Sequence, residues 1–310
     1  MRVVRGVLWV LVLVVLAWAA VRVTGVLPPW PGLVVLALTP WAVLFGALVA
    51  VLALLARATW GGLVAAVAVV ALAAVVVPRV WGAGEERTGR TVRVMTVNLR
   101  VGGADPAAVV RLVRDERIDV LAVQEYTGPA AERLTRAGLG RLLRHHVADP
   151  EPYAAGSALW SRFPLRDAAT PTGEGGFTQA SATVDLPGGR TLAVRSVHPC
   201  SPYTREHQGC WARGIAAEPV ATTRGTPRVL LGDFNATLDH PPLRHLLGTG
   251  YRDAADVTGS GLRFTWPADR FPVTTLDHVL ADRRIAIHSY AVRQVPGTDH
   301  RAVVAALTVP

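Results

Sequence analysis

Apolar positions are distributed in two ways along this chain. Before residue 82 they form long runs: Val7 to Val26, broken only by Arg22, then Leu33 to Ala56, then Leu63 to Val77. Pro28, Pro29 and Pro31 separate the first two and cannot continue a helix. Arg57 to Gly62 separate the second and third. The first two runs have the length needed to cross a hydrocarbon layer, and the third reaches it with its flanks. The pattern predicts three transmembrane helices over residues 1–83, with Pro40 as a kink in the second. Residues 84–91, "GEERTGRT", read as a flexible linker. From residue 92 to 310 the runs become short and β-branched, with turns and helical stretches between them, as in a single α/β domain. Strands are predicted at Val92–Val97, Ile118–Gln124, Ser157–Trp160, Ala180–Asp185, Thr191–Val197, Arg228–Leu231, Asp277–Ala281 and Ala302–Leu307. An amphipathic helix is predicted from Pro106 to Arg117.

Charge sharpens the division. The first 81 residues contain five arginines and no acid, so 27 of the 32 basic residues face all 23 acids in the remainder. The distal part is only mildly basic, which gives no support to a nucleic-acid-binding stripe. Every base is arginine, so any phosphate clamp here is built from guanidinium groups. A cleaved signal ending near Ala17-Trp18-Ala19 is the competing reading of the N-terminus, and two further acid-free apolar runs argue against it. Trp30, Trp60 and Trp81 stand at segment ends, as interfacial anchors do. Arg2 and Arg5 favour a cytoplasmic N-terminus, and three crossings would then place the distal domain outside the cell. Arg57 agrees with that orientation, whereas Arg22 and Arg79 oppose it. Cys200 and Cys210, the only cysteines, could close a loop in an oxidising compartment or remain two thiols.

The chemistry gathers at strand ends. Asn98 follows Val92–Val97, Glu125 follows "IDVLAVQ", and His198 follows "TLAVRSV". Asp233 and Asn235 follow "RVLL", Asp277 opens a strand, and Asp299-His300 precede the last one. In extended chain Asp233 and Asn235, at i and i+2, would leave on one face. Taken singly, each is an ordinary turn or cap residue. Their joint recurrence at strand termini points to one polar site. Arg162 and the His145-His146 pair read as structural.

The stretches "VMTVNLR", "DVLAVQE", "GSALWSRFPL", "SVHP", "LLGDFNATLDHPPLR", "TTLDHVL" and "GTDHRAV" occur in an order and spacing that resemble the endonuclease/exonuclease/phosphatase superfamily, the DNase I-like fold. The resemblance implies a four-layered α/β sandwich and metal-dependent phosphoester hydrolysis. It implies Glu125 as principal ligand of Mg²⁺, or of Mn²⁺ or Ca²⁺, with Asn98 and Asp299 beside it. It further implies His300 as general base oriented by Asp277, Asp233 with Asn235 positioning water and a phosphate oxygen, and His198 on the phosphate or leaving oxygen. Thr275-Leu276 before Asp277 departs from the basic residue and Ile of many relatives. Arg205 and His207, in the insertion after His198, are candidate substrate contacts. Hard oxygen ligands suit Mg²⁺ and a near-neutral imidazole suits the base, so the residue types agree with the chemistry.

The expectation is a multi-pass membrane-anchored phosphoesterase acting on nucleic acid, a phospholipid head group or a phosphorylated small molecule. The alternatives are a lipid or sugar-phosphate phosphodiesterase and a non-catalytic membrane-tethered binding domain. Nothing in the sequence points to a protein partner.

Overall fold

The computed structural model describes residues 2–86 and 88–310. Helices α1 (Arg2–Thr24), α2 (Gly32–Leu36), α3 (Thr39–Leu55) and α4 (Thr59–Val76) come first. Twelve strands follow: β1 (Thr91–Asn98), β2 (Val120–Gln124), β3 (His145–Asp149), β4 (Ser157–Ser161), β5 (Leu165–Ala169), β6 (Ser181–Leu186), β7 (Arg190–Val197), β8 (Arg228–Asp233), β9 (Tyr251–Asp253), β10 (Asp277–Asp282), β11 (Ala286–Arg293) and β12 (Ala302–Thr308). They form two six-stranded sheets, ordered β11-β12-β1-β2-β4-β3 and β5-β6-β7-β8-β10-β9. Among the described residues only β1–β2 and β7–β8 pair in parallel. Helices α5 (Pro106–Asp115), α6 (Gly128–Arg136) and α7 (Leu139–Leu142) cover the first sheet, and α8 (His207–Ala216) and α9 (Pro241–Gly248) cover the second. Helix α10 (Ala254–Val257) follows β9. The expected four-layered sandwich is therefore present.

Alternation along the central strands builds the layers. Val92 and Val94 of β1, Val120 and Ala122 of β2, Val229 and Leu231 of β8, and Val279 and Ala281 of β10 share the core between the sheets. Met95, Val97, Leu121 and Val123 pack outward under α5 to α7, while Leu230 and Leu280 pack under α8 and α9. The inter-sheet face continues past its apolar residues into Asn98, Gln124, Asp233 and Asp277, all buried. The same period turns His278 to the opposite face, where its Nδ1 lies 2.8 Å from Asp253 Oδ2.

The N-terminal segment differs from its expectation. Two helical stretches, Val3–Thr24 and Thr59–Val80, are long and apolar enough to cross a membrane; Thr39–Leu55 is shorter. The run from Leu33 to Ala56 is not one helix, because the chain breaks at Ala37-Leu38 and Pro40 lies in the first turn of α3. Leu33 is fully buried in the layer that holds Trp211, Phe234 and Leu243. This part of the run is therefore packed in the distal domain. Helices α1, α3 and α4 pack through small residues, and a Cβ on Gly46 would lie 2.7 Å from Val69 and 2.9 Å from Val15.

The ends of these helices are locked to the sandwich. Arg22 Nε lies 2.5 Å from Asp239 Oδ1, and Arg79 donates to both Asp239 oxygens at 2.9 and 2.6 Å. All three side chains are at most 7% exposed. Burial alone would raise the Asp239 carboxyl, but Arg79 and Arg22 hold it below its ordinary value. Trp41 Nε1 donates to Val273 O at 2.8 Å, and Gln208 bonds Trp30 N and Pro28 O. In the expected linker, Glu85 pairs with Arg252 and its N–H donates to Ile287 O at 2.7 Å. That stretch is tied down at Glu85.

Glu218 is a buried acid away from the strand-end cluster. Burial pushes its carboxyl up to about 7, although Arg195 Nε lies 3.2 Å away. Between the ordinary value of 4.5 and about 7 the folded chain keeps a proton that the unfolded chain releases. Stability therefore falls as pH rises through that window, by about 3 kcal/mol in all. Glu218→Gln is expected to remove most of this slope, measured as the difference in Tm between pH 4.5 and pH 8.

Candidate functional site

Asn98 joins the two sheets. It is fully buried, and its Nδ2 donates to Glu125 Oε1 and to Asp233 Oδ2, both at 3.0 Å. Its Oδ1 accepts from Arg100 N at 2.8 Å. Glu125 Oε2 accepts from Val101 N at 2.6 Å. His198 Nε2 lies 3.9 Å from Glu125 Oε1 and 3.7 Å from Asp233 Oδ2, with the Phe177 ring edge-on to the imidazole. His300 Nδ1 bonds Asp277 Oδ2 at 3.0 Å, and its Nε2 lies 3.6 Å from Asp233 Oδ2. Asp233, Asp277 and His300 thus form one buried group at the end of the inter-sheet core.

The backbone around these side chains is held in costly conformations. Arg100, Val101, Glu125 and Asn235 all have φ between 49° and 54°. For a β-branched residue such as Val101 this region is strained, and such strain persists only where surrounding structure over-determines it. Gly232 allows β8 to approach β7 closely at the site, because a Cβ there would sit 2.0 Å from Val197 O.

Asn235 departs from the expected geometry. Strand β8 ends at Asp233, and the chain turns before Asn235. Asp233 Oδ1 accepts from Asn235 N at 2.8 Å, and Asn235 Nδ2 donates to Pro199 O at 3.2 Å. The two side chains do not leave an extended strand together; a turn brings the amide beside the loop that follows His198. Asp299 stands nearer the rim, with Oδ1 3.7 Å from Arg100 Nε and Oδ2 accepting from Trp266 Nε1 at 3.4 Å. Asn98 presents its amide nitrogen to Glu125. Cys200 and Cys210 form a disulfide that closes the rim loop after His198. In that loop His207 bonds Thr204 and stacks on Tyr203, while Arg205 is exposed.

Four supporting residues escaped the sequence reading. Thr96 Oγ1 donates to Gln124 Oε1 and Gln124 Nε2 to Ser196 Oγ, a buried chain beneath the site. Thr298 Oγ1 donates to Asn98 O and accepts from His300 N. The last had a local signal, since a Thr two residues before a functional residue is a common side-chain turn. The others are ordinary strand residues whose role depends on the facing sheet.

Electrostatics bind the group together. Burial pulls His300 down, but the Asp277 and Asp233 carboxylates outweigh it and lift the imidazole to about 10. Burial raises the Asp233 carboxyl, with Asp277 adding to the effect and His300 opposing it. Glu125, Asp233, Asp277 and Asp299 together supply more negative charge than two imidazoles balance. A hard donor set in acid excess, with Glu125 partly open to solvent, fits a divalent cation.

Residues 95–300 match the Endonuclease/Exonuclease/phosphatase family. The chain belongs to this family. As a member it is a hydrolase acting on phosphoester bonds. No curated protein matches the chain. Among solved structures it resembles an endonuclease/exonuclease/phosphatase from Beutenbergia cavernae, at 19% identity and TM-score 0.54, covering 71% of this chain and 72% of that one. It also resembles the human Nocturnin catalytic domain with bound sulfate, at 17% identity and TM-score 0.54, covering 75% and 98%. A 3'-5' exonuclease from Neisseria meningitidis gives 20% identity and TM-score 0.52, covering 69% and 98%. At these identities the likeness is one of fold.

Proposed function

We propose that this chain is a membrane-attached, divalent-metal-dependent phosphodiesterase in which His300 activates water. The observation that carries the reading is the row Asp277–His300–Asp233, with one imidazole nitrogen on Asp277 and the other facing Asp233. Asp277 fixes the ring and stabilises its protonated form, which leaves Nε2 to take the proton of an attacking water. The water oxygen bonds to phosphorus as the bond from phosphorus to the leaving oxygen breaks. That oxygen takes up a proton, so a diester yields a monoester and an alcohol. His198 would donate to a phosphoryl oxygen, and Asn235 would do so with the amide hydrogen that Pro199 O does not take. Glu125 would hold the metal, with Asp299 beside it and Asn98 fixing the carboxylate. A cation there would polarise the phosphoryl group and offset the carboxylate charge that keeps His300 protonated.

Hydrolysis of bis-p-nitrophenyl phosphate by the full chain should require Mg²⁺ or Mn²⁺ and stop with chelator. Activity that survives exhaustive chelation overturns the metal dependence.

For attachment, we read α1 and α4 as crossing in the same direction, with the shorter α3, packed against both, carrying the chain back to the far face between them. Their domain-side ends carry Arg22 and Arg79, whose charges are taken up by Asp239. Those two arginines therefore drop out of the topology balance, which leaves Arg5 and Arg57 at the far end to favour a cytoplasmic face there. The sandwich then lies outside the cell, where the disulfide is stable. A reporter fused after Pro310 should be active only if its chemistry works outside the cell; activity confined to a cytoplasmic reporter reverses the orientation.

A further inference from the structure

The loops around the cleft are more apolar than catalysis requires. Among described residues 91–310, five large apolar side chains are strongly exposed: Val101, Tyr153, Tyr203, Val220 and Phe271, at 51 to 80%. All but Val220 stand on loops that border the site. Val101 N holds Glu125. Tyr153 lies in the β3–β4 loop, which bonds Tyr126 O through Glu151 N and Thr178 through Ala155 O. Tyr203 is in the disulfide loop after His198. Phe271 is in the segment that begins at Trp266, which donates to Asp299.

Three of these residues have an exposed arginine as a near neighbour in sequence: Arg205 two beyond Tyr203, and Arg100 and Arg270, beside Val101 and Phe271, which share the exposed carboxylate of Asp269 and so bring two guanidinium groups to one acid. Exposed apolar groups interleaved with arginine are the composition of a surface that rests in the interfacial zone of an anionic bilayer. Two of the loops also touch the segment that leads into the N-terminal helices. Phe271 packs against Trp41, near the start of α3, at 6.0 Å between ring centroids. Gln208, close to Tyr203, bonds Trp30 N and Pro28 O. The rim is thus continuous with the domain-side end of the helices, at the level where Trp30 and Trp41 stand.

We infer that the mouth of the cleft docks on the bilayer surface and takes its phosphodiester from a lipid head group. The inference rests on the attachment and the hydrolysis proposed above. The reaction is the same: water oxygen joins phosphorus, the bond to one bridging oxygen breaks, His300 receives the water proton and the leaving alcohol oxygen regains one. A single-stranded nucleic acid would also use arginine and aromatic rings. Val101 offers a base no face to stack on, however, and one face of Tyr203 is already covered by the stacked His207 ring.

The test uses the full chain in nanodiscs of phosphatidylcholine and phosphatidylglycerol with Mg²⁺. It is compared with the triple variant Tyr153→Ser, Tyr203→Ser, Phe271→Ser. Phosphorus NMR follows the lipids, and bis-p-nitrophenyl phosphate and single-stranded DNA are assayed alongside. A nitroxide at position 271 reports depth through its accessibility to oxygen against a water-soluble nickel complex. The expected result is lipid cleavage that falls at least tenfold in the triple variant, unchanged bis-p-nitrophenyl phosphate hydrolysis, and a nitroxide shielded from nickel. Hydrolysis of the small diester with every lipid intact overturns the inference and leaves the phosphodiesterase reading standing. So does a nitroxide that reads as water-exposed, or DNA cleavage that falls in the triple variant while lipid is untouched. Loss of all hydrolysis, including that of the small diester, removes the underlying reading and this inference with it.

Discussion

His300→Ala should lower kcat for a phosphodiester by about three orders of magnitude, within the range expected for loss of a positioned general base. Asp277 holds the ring by Nδ1 and leaves Nε2 facing Asp233, and His198 and Asp233, the other groups within reach, lack a hydrogen-bonded carboxylate partner that stabilises the proton once taken. Asp277→Asn supplies the control on mechanism. Removing that charge takes away the largest influence raising the His300 imidazole against burial, so its pKa must fall. A base works only when unprotonated, and rate rises as pH climbs through its pKa. The acid limb of kcat against pH should therefore move to lower pH in Asp277→Asn even as the plateau drops. A limb that stays in place, or a His300→Ala enzyme with more than a tenth of normal activity, would falsify the assignment of His300 as base.

Asp239→Ala should cost about 3–5 kcal/mol, because it leaves the guanidinium groups of Arg22 and Arg79 buried without their counter-charge. For a protein of this size that corresponds to a fall in Tm of roughly 5–8 °C. The cost belongs to unpaired charge and not to the pair as such. Replacing Arg22, Arg79 and Asp239 together by methionine should recover most of it. Asp239 lies four residues beyond Asn235, so the clamp also ties the N-terminal helices to the loop that carries part of the site. A chain that starts at residue 84 lacks both arginines and Leu33, and is expected to unfold more readily than the full chain. A drop of less than about 1 kcal/mol for Asp239→Ala shows that water reaches the cluster.

The eight strands legible in the sequence are the eight inner strands. The four that were not, β3, β5, β9 and β11, are the four sheet edges. An inner strand is buried on both faces and reads as an apolar run, as "VLAVQ" and "RVLLGD" do. An edge strand is half-exposed, and "LRDAA" and "HHVAD" carry polar residues that announce nothing. His146 shows the consequence: it stacks on Trp160 of the neighbouring strand at 4.2 Å, a contact created by pairing alone.

The same division holds for the site and for the N-terminus. Glu125, His198, Asp233, Asp277 and His300 were visible because each ends, follows or precedes an inner strand, and the order of those strands carries the family likeness. Hydrophobic runs also revealed where the helical segment lies, since length and lack of charge are local properties. Local properties could not show that Leu33 leaves the helical bundle for the core of the sandwich, or that Arg22 and Arg79 close on Asp239 across 217 and 160 residues. They could not show that Asn235 turns its amide to Pro199, or that Thr96, Gln124 and Ser196 brace the floor of the site. Periodicity and composition act over a few residues and are written in the sequence. Pairing of buried charges and of facing sheets is decided only when distant segments are brought within a few ångströms of one another.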